Sequence, residues 1–321
     1  MQLFDSRQTL FVIAAVAAGL LAGQSQWIAE NAIHLVVPAL VAMLWSVFLH
    51  VPLRGLGTAF RHFRFTGISL GINFLWTPAF AFALGWLFLR DQPDLWIGLI
   101  MLMVTPCTDW YLVFTSLARG NVRLSTALLP WHLGLQLLLL PVYLLVFAGA
   151  LIRIDYGVIL QGIAAVLLVP LSFAALFRWW ARRAHGRAWL GEAVLPKTAI
   201  AQLLFLNVAI AAMFASQGGI LLRKPGIIFY LLPPLLAFFL VTTALAVAIS
   251  RWNRFSYPEC ASLCFATLAR NSPIALAIAV VAFPDRPLIA LALVIGPLIE
   301  LPVLAVTASA LLSLRRRWRP D

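Results

Sequence analysis

Ten times along this chain an apolar run continues for about twenty residues, the length a helix needs to cross the hydrocarbon core of a bilayer. The runs lie at about 9–23, 31–53, 66–90, 95–118, 123–149, 157–180, 197–216, 226–250, 257–283 and 287–313. No soluble fold accommodates so many. A soluble domain of 321 residues has roughly a quarter of its residues charged to cover its surface. This chain is 63% hydrophobic and 11% charged, with a mean hydropathy of +0.98. Its solvent is mostly lipid, and a helix is the natural spanning structure because it satisfies its own backbone groups. The short connections predict one helical bundle.

The net charge of +12 points to topology rather than to nucleic acid, because the basic residues fill the gaps between apolar runs. With the N-terminus inside, seventeen Lys and Arg fall on inner segments and five on outer ones, leaving Arg270 within a span. That bias predicts a multi-pass protein of the cell (inner) membrane with both termini cytoplasmic. The first run is read as a retained span rather than a cleaved signal. Cys107, Cys260 and Cys264 form no disulfide framework.

The longest connector, RWWARRAHGRAWLGEA at 178–193, splits the chain near its middle, and its Trp and Arg suit an amphipathic linker at the inner interface. The ten runs fall five to each half, 9–149 and 157–313. An odd number of spans per half makes the second half enter the membrane the opposite way, an architecture of secondary transporters. The expected organisation is a five-helix repeat over 1–150, the sixth helix and basic connector over 151–196, and the rest of the second repeat with a basic tail over 197–321, all within one membrane domain.

The fourth run carries VTPCTD and the ninth carries LARNSP at matching midpoints. Pro106 and Pro273 stand where an interrupted helix would restart, since proline suits a first helical turn and disrupts a helix interior. Asp109, Arg270 and Glu300 fall near span centres, where each charge costs about 2.5–3.5 kcal/mol on insertion scales and normally faces a cavity or bundle interior. Asp109 and Arg270 are expected to pair across the two breaks. Glu300 is a candidate proton carrier, with a neutral structural role as the alternative. Cys107, beside Pro106, offers a soft sulfur to a thiophilic solute. Weaker candidates are Asn73, Trp76 and Thr77 in the third run, His132 and Gln136 in the fifth, and a two-thiol site at Cys260 and Cys264. No sequence pattern for nucleotide-dependent or hydrolytic chemistry is present, so an enzyme is not expected.

The segments PCTDWYLVFTSLARGN, LARNSPIALAIAVVAF and IGPLIELPVL resemble the arsenical-resistance (arsenite efflux) permeases, a branch of the bile acid:sodium symporter superfamily. The resemblance implies an all-α integral membrane fold: ten transmembrane helices as two inverted five-helix repeats, with the fourth and ninth unwound and crossing. It carries the solute-contacting cysteine onto Cys107 and the proton-exchanging glutamate onto Glu300, and Asn271 and Ser272, which keep the family's Asn-Ser in the ninth span, are expected to bind substrate with Cys107. Sodium-coupled members have Ser-Asn in the fourth span, and Tyr111 and Leu112 stand there in this chain. In the ninth span Ala266 and Arg270 replace their Glu and Gln. A guanidinium repels sodium, so coupling to sodium is not expected. The reading is export of arsenite or a related trivalent metalloid by proton exchange, without cofactor or nucleic-acid partner. An organic-anion symporter drawn to Arg270, and a passive pore, are the alternatives.

Overall fold

A proline inside a helix removes one backbone donor and leaves the carbonyl four residues earlier without its partner. Most of the long helices of this chain contain one, so the fold must supply other donors. The computed structural model describes residues 2–50, 62–107, 110–152, 156–223, 226–316 and 318. Among them all regular structure is helical, apart from one isolated antiparallel bridge between Pro106 and Arg270.

In chain order the helices are α1 (Gln2–Ala22), α2 (Gln26–His50), α3 (Phe63–Phe88), α4 (Pro93–Met103), α5 (Trp110–Leu117) and α6 (Val122–Leu151). There follow α7 (Tyr156–Ala184), α8 (Leu195–Arg223), α9 (Gly226–Trp252), α10 (Tyr257–Leu268), α11 (Ser272–Ala282) and α12 (Pro287–Arg315). Six helical stretches are long and apolar enough to cross a membrane, so this is an integral membrane protein. The apolar run expected at 95–118 is divided between α4 and α5, and that expected at 257–283 between α10 and α11. The 178–193 connector is largely helical. α7 runs to Ala184, a break at Gly186 (φ +83°) follows, and helical turns resume directly. His185 stacks on Trp189 at 4.4 Å and meets Trp180 edge-on at 5.3 Å, which closes that corner around aromatic rings.

The chain divides into two compact units, each drawing on both halves of the sequence. One holds residues 1–51, 154–227 and 273–291. Here α8 packs on α1 and α2. A Cβ added at Gly19 would run into the Ala211 carbonyl, and one at Gly23 into that of Ala215. Small residues admit such close backbone approach, which is how helices associate tightly in lipid. Ser46 Oγ donates to the Thr198 carbonyl at 2.8 Å, and the His50 ring lies between the carbonyls of Ser46 (2.7 Å) and Leu195 (3.0 Å).

The other unit holds residues 52–153, 228–272 and 292–321. Its α10 packs on α3, α5 and α6. A capping box opens α10, with the Ser256 N–H and hydroxyl both donating to Glu259 Oε2 (2.8 and 2.7 Å). Asn121 caps α6 by accepting from the Leu124 N–H (3.1 Å), while its own N–H donates to Ser262 Oγ (2.8 Å) and the Pro258 carbonyl (3.0 Å). Pro78 leaves the Phe74 carbonyl unpaired, a π-turn over Ile72–Trp76 opens the helix there, and the Tyr143 hydroxyl donates to that carbonyl at 2.6 Å.

Both α5 and α9 end on an arginine in the left-handed region, Arg119 (φ 56°) and Arg254 (φ 57°). The N–H groups of Gly120 and Phe255 then bond back to Thr115 (2.7 Å) and Ser250 (2.8 Å), as in a Schellman end. A residue with a Cβ pays about 1–2 kcal/mol for that conformation. Arg254→Gly is therefore expected to stabilise the detergent-solubilised protein by about 1 kcal/mol in thermal unfolding. An unchanged or lower melting temperature would show that the side chain's contacts outweigh the strain.

Candidate functional site

The two broken helices meet at their breaks. The Cys107 N–H donates to the Ala269 carbonyl at 2.9 Å, and the Asn271 N–H donates to the Thr105 carbonyl at 2.6 Å. These two bonds make the Pro106–Arg270 bridge and hold both segments extended. Backbone used this way cannot be helical. Cys107 therefore precedes the restarted helix rather than riding on its first turn, and the described helix begins at Trp110. The Cys107 sulfur accepts from the Trp110 N–H at 3.3 Å, an N-cap role usually filled by oxygen. Pro273 is the second residue of α11.

Thr105 and Thr267 fold their hydroxyls back onto the preceding turns. Thr105 Oγ1 donates to the Met101 and Leu102 carbonyls, both at 3.0 Å. Thr267 Oγ1 donates to those of Leu263 (2.9 Å) and Cys264 (3.1 Å). The last carbonyls of the two half-helices take another donor. Arg270 is 2% exposed, and its guanidinium donates to Met103 O (Nη1, 2.7 Å), Leu268 O (Nε, 3.1 Å) and Thr267 O (Nη2). One cation thus caps the C-terminal ends of both α4 and α10, where the helix dipoles favour positive charge. The guanidinium also lies 5.0 Å from the centre of the Phe238 ring, a cation–π distance.

The GPLIE stretch of α12 meets the breaks at three positions. Gly296 lies against Leu102, whose side chain occupies the space a Cβ would need. Pro297 frees the Leu293 carbonyl, and the Ser272 hydroxyl donates to it. Glu300, 2% exposed, accepts the Arg270 backbone N–H on Oε1 at 2.8 Å. Residues 293, 296 and 300 share one helix face, so a single stripe of α12 holds both interruptions.

Cys107, Asn271, Ser272, Arg270 and Glu300 are thus brought together, all buried. Asp109 and Thr108 lie outside the described residues, and with them the expected Asp109–Arg270 pair. The described partner of Glu300 is a backbone N–H of the ninth run. Trp76 is half-exposed and stacks on Phe80 at 5.1 Å. Cys260 and Cys264 are fully buried on α10. Among the described residues no cluster of metal-ligating side chains occurs.

Sequence reading missed two things. It did not see that the Arg270 guanidinium would donate to three helix-end carbonyls. It also did not see that Phe74 and Leu293 would need outside donors, although a proline four residues on signals both.

Comparison with known proteins identifies the family. Residues 37–224 match the sodium bile acid symporter family. The arsenical-resistance protein Acr3 of Corynebacterium glutamicum is 28% identical over 265 residues, covering 79% of this chain and 72% of that protein. An uncharacterized transporter of Synechocystis, slr0944, is 23% identical across 95% of this chain and 87% of its own length. An uncharacterized Bacillus subtilis protein, YbaS, is 25% identical across 73% and 74%. The family match spans more than half of the sequence, and its members are transporters rather than enzymes: the chain belongs to the sodium bile acid symporter family.

Proposed function

We propose that this protein is a secondary active transporter that exports arsenite or a related trivalent metalloid in exchange for protons. It works in the cell inner membrane with both termini in the cytoplasm, as a ten-span inverted repeat crossed at the fourth and ninth spans. The observation that carries the reading is Cys107. Its sulfur is 5% exposed, sits at the start of a half-helix, and belongs to the same crossing as the buried Glu300 carboxyl. A soft sulfur recognises a thiophilic solute, and an ionisable carboxyl within a membrane is suited to carry a proton. The resemblance to an arsenical-resistance protein supports the same substrate class. Alternating access would come from one bundle rocking against the other around this point.

Coupling to sodium is not part of the proposal. Sodium takes several oxygen ligands, and three carbonyl oxygens at the crossing already surround the Arg270 guanidinium. The same observation weighs against an organic anion anchored by Arg270, since its donors are turned to backbone. The family's description still keeps an anion symporter as the competing reading.

Arsenite flux in everted vesicles, with and without an imposed pH gradient, tests the proposal. Uptake driven by the gradient supports it, and flux indifferent to protons and to sodium would indicate a pore. Glu300→Gln keeps an amide oxygen for the Arg270 N–H, so the variant is expected to fold normally and to lose stimulation by the pH gradient entirely. Full stimulation in that variant would remove Glu300 from the proton path.

A further inference from the structure

Beside the crossing bonds, the same unit contains a second buried polar cluster, between α3 and α6. Ser69, Asn73, Thr77, His132 and Gln136 are all fully buried. The Asn73 amide nitrogen donates to the carbonyls of Ser69 (3.1 Å) and Ala266 (2.9 Å), which fixes the orientation of that amide. The His132 Nε2 atom lies 3.3 Å from the Ser69 hydroxyl and 3.4 Å from the Asn73 amide nitrogen. Both Asn73 amide hydrogens go to those carbonyls and the Ser69 hydroxyl either donates or accepts, so both ring tautomers of His132 fit the network.

Several atoms remain over. Among the described residues, His132 Nδ1, Asn73 Oδ1, Thr77 Oγ1 and both amide atoms of Gln136 have no hydrogen-bond partner. Buried polar atoms are nearly always paired, and each one left alone costs about 1–3 kcal/mol. Such a concentration in one region requires an explanation beyond packing. It lies where Asn73 opens the α3 π-turn over Ile72–Trp76, and π-turns recur at functional sites.

We propose that this cluster is a binding site for a small, uncharged, hydroxylated solute. The chemistry of the unpaired atoms selects that class. The Gln136 amide nitrogen donates, the Asn73 and Gln136 amide oxygens accept, and His132 Nδ1 and the Thr77 hydroxyl do either. A bare cation meets the Gln136 amide N–H, and an anion meets two amide oxygens. A neutral solute with several hydroxyls pairs with both kinds. This rests on the proposed function and deepens it, because undissociated arsenous acid is a neutral triol. The cluster would hold two of its hydroxyls, while the Cys107 thiol displaces the third, which leaves with the thiol proton as water, to form the sulfur–arsenic bond.

Boric acid separates the two contributions, being a neutral triol without affinity for thiols. The experiment measures boric acid binding to the full-length protein in nanodiscs by boron NMR and calorimetry. Saturable binding to the wild type, displaced by arsenous acid, is expected. Asn73→Leu and Gln136→Leu are each expected to weaken it about tenfold, and Cys107→Ser to leave its Kd unchanged. The proposal is overturned by the absence of saturable boric acid binding to the wild type, by binding that survives both leucine variants, or by binding lost with Cys107. Should a leucine variant fail to fold, the wild-type displacement and the Cys107→Ser result decide. The proposed function fails by a different readout, a wild type that does not move arsenite across vesicles, whatever boric acid does.

Discussion

Arg270→Ala is expected to leave a protein that is barely stable. Two effects oppose one another. Removing the guanidinium relieves the desolvation of a buried charge, which amounts to several kcal/mol. It also strips donors from the Met103, Leu268 and Thr267 carbonyls. Each buried acceptor left unpaired costs about 1–3 kcal/mol, and here they are the exposed ends of two helix dipoles. The contact over Phe238 is lost as well. Breaking a buried charged arrangement from one side typically costs about 3–5 kcal/mol, and the same figure is expected here. Against a total stability of about 5–15 kcal/mol, that is a large share. Melting of the purified protein in detergent measures it. Arg270→Lys separates charge from geometry, because an ammonium keeps the charge but lacks the planar fork that reaches three carbonyls. It is expected to fall between the wild type and alanine. Wild-type melting in the alanine variant would show that the crossing does not depend on this side chain.

Cys107→Ser is expected to abolish arsenite transport while sparing the fold. The sulfur's described structural work is to accept the Trp110 N–H at 3.3 Å, and a serine oxygen accepts the same donor. Neutral hydrogen bonds of this kind contribute about 1 kcal/mol, so the melting temperature is expected to shift only slightly. What serine cannot replace is a soft, thiophilic ligand. Flux in everted vesicles is therefore expected to fall to the level of vesicles lacking the protein. Retained arsenite flux in this variant, with uptake of an organic anion, would favour the competing reading. Loss of flux accompanied by a collapsed melting temperature would make the cysteine structural. The pair of experiments is informative together, since Arg270 is expected to act on stability and Cys107 on the solute.

Much of the architecture is written locally. Runs of apolar residues settle that the chain is helical and membrane-embedded, because bilayer thickness and backbone hydrogen bonding leave few other solutions. Pro106 and Pro273 mark interruptions for an equally local reason, the missing N–H and the ring of proline. Cys107, Arg270 and Glu300 stand out because ionisable or reactive groups are rare within spans. The helical corner over 178–193 was less legible. Its Arg and Trp residues suit both a surface linker and a helix, and the stacking of His185 on Trp189 involves neighbours on both sides of a glycine.

Sequence alone determined a helical membrane protein with two proline-broken spans and a sparse set of buried polar groups, since these follow from residue type and spacing. Tertiary structure alone decided the partners. Arg270 caps the ends of two helices, Glu300 takes a backbone N–H, Ser272 serves the carbonyl that Pro297 freed, and His132 meets Asn73 across two helices. The reason is physical: hydrogen bonds act over about 3 Å, and only the packed chain brings residues so distant in sequence within that reach.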